Sequence, residues 1–125
     1  MALQPQIVKL VQKLVELTER KKISWESTAD EETFLTSAGN FVVTVARGLG
    51  TVKNEGYRIR VLNESGQRVE EGVAIVSDRF DYARDDPGAR AEAALLGSLH
   101  EIARRSALHS DKVVADLLVS LEQIR

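Results

Sequence analysis

Between Tyr57 and Val76 the chain alternates in the manner of a β-hairpin. Tyr57, Ile59 and Val61 are separated by Arg58 and Arg60, the period of two that gives a strand one buried face. Asn63-Glu64-Ser65-Gly66-Gln67 reads as the turn, and a three-residue loop over Glu64-Ser65-Gly66 sets glycine at the left-handed position such loops require. This register pairs Val61 with Val69 and Tyr57 with Val73 on the core face, and Arg60 with Glu70 on the other. It leaves Glu71 opposite Ile59, so a bulge is expected near Glu71-Gly72.

Upstream, Phe41 to Ala46 is dense in β-branched residues and predicts a strand, joined through Gly39-Asn40 to a weaker one over Thr33 to Ala38. Two hairpins make a four-stranded antiparallel meander. Helical periodicity brackets it. Pro5 to Arg20 carries Ile7, Val8, Val11, Leu14, Val15 and Thr18 on one face. Asp86-Pro87 opens a second helix to about Ala107, with Leu95, Leu96, Leu99, Ile102, Ala103 and Ser106 inward. Ser110 or Asp111 caps a third, with Val113, Val114, Leu117, Leu118, Leu121 and Ile124 as its stripe. The expectation is a single α+β domain over residues 1–125. One face of its meander is covered by the N-terminal helix and the C-terminal helical pair.

The first helix is apolar over more of its circumference than one sheet needs. Leu3, Leu10 and Leu17 recur at seven-residue spacing beside the main stripe. Either the sheet and C-terminal helices share this flank, or a second copy of the protein covers it; the three leucines are the candidate interface. Trp25, the sole tryptophan, stands where helix gives way to sheet, as a core anchor or as a ligand-stacking surface.

Composition narrows the function classes. A net charge of −2 gives no global basic field to draw the chain to nucleic acid or anionic lipid. With no cysteine, disulfides and thiolate metal sites are excluded, in keeping with a cytoplasmic protein. Lys9 and Lys13 interrupt the first apolar residues before a signal-peptide core forms, and no apolar run reaches the ~20 residues of a membrane span.

Chemistry-bearing motifs fall short of known constellations. Gly48-Leu49-Gly50-Thr51-Val52-Lys53 lacks the third glycine and following helix of a dinucleotide loop. His100-Glu101 lacks the second histidine of the zinc-protease motif, because Arg104 stands in its place. Asp78, Asp81, Asp85 and Asp86 miss the alternating ligands of a calcium loop and carry Arg79 and Arg84 among them. Arg58 and Arg60 offer a basic sheet face, but with few stacking aromatics for RNA. No cofactor or metal is expected.

Taken together, Lys22-Ile23-Ser24-Trp25-Glu26, Gly39-Asn40-Phe41, Asn63-Glu64-Ser65-Gly66 and Leu99-His100-Glu101-Ile102-Ala103-Arg104-Arg105-Ser106-Ala107-Leu108 with Asp111 give a pattern that resembles small uncharacterised bacterial α+β domain proteins. The resemblance implies a helix, a meander and two C-terminal helices, and transfers no activity. The functional expectation is therefore a non-enzymatic interaction module, homodimeric or docking on another protein. The alternative is a small-ligand-binding domain or enzyme with a pocket near Trp25, Tyr82 and His100.

Overall fold

A computed structural model describes residues 3–48, 55–77 and 87–124. These residues form one five-stranded antiparallel sheet and three helices, in the order α1 (Pro5–Glu19), β1 (Glu26–Ser27), β2 (Thr33–Ala38), β3 (Phe41–Arg47), β4 (Glu55–Leu62), β5 (Arg68–Ser77), α2 (Pro87–Ala107) and α3 (Ser110–Glu122). The sheet order is β1-β2-β3-β4-β5, a meander in which each strand pairs with its sequence neighbour. The four expected strands are present. The fifth, β1, is two residues that pair Glu26 with Leu35 and Ser27 with Phe34, too short to leave a periodic signal.

Phe34, Val45, Ile59 and Gly72 stand in one row across β2 to β5, with Val43, Tyr57, Val61 and Ala74 on the same face. Against this face pack Ile7, Val11 and Leu14 of α1 and Ala93, Leu96, Leu99 and Ala103 of α2. Leu96 and Leu99 are fully buried, each worth roughly 1.5–3 kcal/mol against exposure.

Proline opens α1, and the helix closes in a Schellman arrangement. Lys21 adopts φ 60°, its N–H donates to the Thr18 carbonyl, and the Lys22 N–H donates to Leu17. Gly39 (φ 62°) makes the tight β2–β3 turn, and Gly66 (φ 81°) the three-residue β4–β5 loop, as its position required. Asn63 ties that loop together: its Oδ1 accepts the Ser65 and Gln67 N–H groups, each at 3.0 Å.

Two expectations are corrected. The β4–β5 register places Arg60 opposite Glu71 and Val61 opposite Glu70, because the irregularity lies at Val69, between the Leu62–Arg68 and Val61–Glu70 pairs. A second shift separates the Glu55–Ser77 and Gly56–Ile75 pairs. Val69 is pushed outward and half exposed, so no bulge is needed at Glu71-Gly72, where Gly72 faces Ile59 directly.

The second correction concerns α3, which does not help to cover the sheet. It follows α2 after Leu108 and His109, with His109 left-handed at φ 52° serving as its N-cap position in place of Ser110 or Asp111. Every residue from Lys112 to Ile124 is exposed.

Candidate functional site

Trp25 and His100 are both committed to the core. The Trp25 indole Nε1 donates to Thr18 Oγ1 at 2.9 Å, and Thr18 Oγ1 in turn donates to the Leu14 carbonyl at 2.6 Å. The Trp25 backbone N–H donates to Ser106 Oγ at 2.9 Å, so one residue fastens the end of α1 to the end of α2. His100 is 4% exposed, its ring 5.4 Å from that of Phe34 and 5.6 Å from that of Tyr57. Its Nε2 lies 2.9 Å from the Glu32 carbonyl oxygen, which can only accept, so Nε2 carries the proton. That bond and the two aromatic neighbours fix the ring within the core. Tyr82 and the aspartates at 78, 81, 85 and 86 lie outside the described residues, as does most of the Gly48–Lys53 loop.

Much of the leucine flank of α1 is absorbed by the chain itself. Leu3 is buried, with Cδ2 above Gly72 and its backbone N–H bonded to Glu92 of α2 at 2.8 Å. Leu10 packs on the core, half-buried, and Leu17 is half-buried at the margin.

Among the described residues, most of the large apolar side chains left in water are on α3. Val113, Val114, Leu117, Leu118, Val119, Leu121 and Ile124 are each more than half exposed, from 53% to 72%. All but Val119 fall within a single stripe at ~100° per residue. Asp116 borders the stripe on one side and Glu122 on the other, while Lys112 lies behind it. At its foot, α3 meets the ends of α1 and α2 around a cleft of about 480 Å³, with Ile23 and Ile102 as apolar lining, Lys21, Arg105 and Lys112 as cations and Glu19 as a carboxylate among them.

The sheet face turned away from α1 and α2 holds a second charged arrangement. Rows across β2 to β5 read Thr33, Ala46, Arg58, Val73; then Leu35, Thr44, Arg60, Glu71; then Ser37, Val42, Leu62, Arg68. Glu71 is shared by three guanidinium groups. Arg68 Nη1 is 2.6 Å away, Arg60 Nε 3.3 Å and Arg58 Nε 3.5 Å. Burial by itself would raise the Glu71 carboxyl, but the Arg68 hydrogen bond and the Arg60, Arg68 and Arg58 charges outweigh it and hold the group below its ordinary range. One carboxylate cannot neutralise three cations, and Arg58 Nε is buried without a hydrogen-bond acceptor. The alternation marked Arg58 and Arg60 as outward-facing. Their acidic partner could be found only once the Val69 bulge had set the register.

Among the described residues no group of three or more His, Asp or Glu side chains is placed to hold a metal ion, and no helix is long and apolar enough to cross a membrane. The fold and these surfaces define an α+β domain with an uncovered apolar helix. Comparison with protein-family models, curated proteins and solved structures finds no match to the chain.

Proposed function

We propose that this protein is a non-enzymatic interaction module that works as a homodimer, with α3 as its principal contact surface. The outward apolar stripe of α3 carries the reading. Isolated helices of this length are marginal in water, and most helices in proteins are held by packing of an apolar face. Here that face packs on nothing in its own described chain, and contiguous exposed patches of this kind mark interaction sites. A second copy is the partner every such chain has available, and two-fold dimers are the commonest closed assembly.

Sedimentation velocity tests the proposal. The wild type is expected to sediment as a dimer at micromolar concentration. Leu117→Glu with Leu121→Glu is expected to sediment as a folded monomer, since neither side chain contributes to the core. A wild type that stays monomeric at high micromolar concentration overturns the homodimer.

The small-ligand alternative has one observation in its favour, the cleft at the foot of α3 with its apolar lining and cationic Lys21, Arg105 and Lys112. A small apolar anion such as octanoate should then raise the melting temperature of the wild type but not of Arg105→Glu. No shift at millimolar octanoate removes this reading.

A further inference from the structure

Building on the homodimer reading, we infer that α3 of each copy lies across the open sheet face of the other, so that two copies exchange their third helices. Both surfaces are unpartnered among the described residues, and their chemistries match. The open face presents Leu35, Val42, Ala46, Leu62 and Val73 as half-buried apolar ground. Over β4 and β5 it adds three arginines held by one glutamate, an excess of two positive charges. The stripe of α3 is apolar at its centre and acidic at both margins, through Asp116 and Glu122, and its lysine faces away. Glu26, opposite Leu35 on β1, confines the positive potential to the β4–β5 half.

The dimensions agree. A helix of 13 residues is about 20 Å long, and five strands at ~4.8 Å spacing span about the same distance. The chain's own α3 has no route to this face. It leaves α2 on the opposite side of the sheet after two residues, three Cα–Cα steps that reach at most ~11 Å, against about 20 Å between helices packed on opposite faces of one sheet. A second copy has no such restriction. Reciprocal exchange covers both helices and both sheet faces with one kind of contact, and it closes at two.

The natural absence of cysteine makes the test direct. Thr44→Cys, at the middle of the open face, and Leu118→Cys, on the α3 stripe, are prepared separately, mixed and oxidised. The expected product is the mixed disulfide between the two variants, in excess of either like-with-like pair. In parallel, Arg60→Glu with Arg68→Glu is expected to weaken the dimer about ten-fold or more, and Asp116→Arg with Glu122→Arg added to it to restore association. Circular dichroism confirms that each variant is folded. If the only cross-link is Leu118 to Leu118, the inference fails and the homodimer stands with α3 against α3. A persisting dimer that ignores the arginine reversals overturns the exchange in the same way. A monomeric wild type removes both.

Discussion

Gly72 of β5 lies opposite Ile59 of β4, and the space above it is filled by Leu3, just ahead of α1, and by Ile7 of α1. A Cβ at position 72 would come within 2.8 Å of Leu3 Cδ2, 3.0 Å of Ile7 Cγ2 and 3.2 Å of Ile59 Cγ2. Leu3 can swing aside, but the two isoleucine methyls sit on stiff, β-branched side chains. Gly72→Ala should therefore cost about 1 kcal/mol despite its entropic advantage in the unfolded chain, and Gly72→Val about 2–3 kcal/mol. Urea denaturation gives both values; a stabilised Gly72→Ala would show that α1 stands further from the sheet.

The Trp25–Thr18 hydrogen bond is buried, so its two ends respond unequally to removal. Thr18→Val keeps the shape but strands the indole N–H in the core, at a cost of about 1–3 kcal/mol, whereas Thr18→Ser keeps the acceptor. Trp25→Ala should cost about 3–5 kcal/mol by emptying the site. Tryptophan emission in the native protein should be blue-shifted from that of free indole in water, and a water-like maximum would contradict this placement.

Glu71 should impart an acid-side pH dependence. Its folded-state carboxyl is held below the ordinary value of 4.5, so the stabilisation is present above that value and is lost as pH falls through the depressed one. Glu71→Gln should flatten the stability–pH slope below about pH 4.5. At neutral pH it should cost on the order of 1–2 kcal/mol, more at low salt, because three guanidinium groups then face one another. An unchanged acid limb in Glu71→Gln would place the stabilising carboxylate elsewhere.

Leucines on α2 and α3 should differ sharply when truncated. Leu99→Ala empties a fully buried position and should cost about 2–5 kcal/mol. Leu117→Ala, measured in solution dilute enough to hold the chain monomeric, should fall within about 0.5 kcal/mol of wild type. A large loss there would mean that α3 packs on its own chain.

How far the sequence reached depended on whether a signal was local. The alternation at Tyr57, Ile59 and Val61 and the positive φ required of Gly66 are properties of a few neighbouring residues, and both were legible. The pairing of Arg60 was not, since it turns on one extra residue in the partner strand. Val69 is apolar and reads as core until the bulge turns it outward. An amphipathic stripe likewise states that a helix has an apolar face without naming what lies against it. The same kind of pattern lies against the sheet in α2 and in water in α3. For Leu3, burial came from the absence of a side chain at Gly72, which periodicity in α1 could not reveal.

The breaks that displaced the register also bear on how copies of this protein can meet. β5 is the outer strand of the sheet, and such a strand invites a neighbour's backbone to extend it into a fibril. Its regular pairing with β4 runs only from Glu70 to Ile75, six residues between two irregularities. A bulge twists a strand and throws its donors and acceptors out of step, so an incoming strand would find no long, flat run to template on. Backbone-to-backbone growth is thereby discouraged at that edge, and association is left to side-chain surfaces, whose geometry can close.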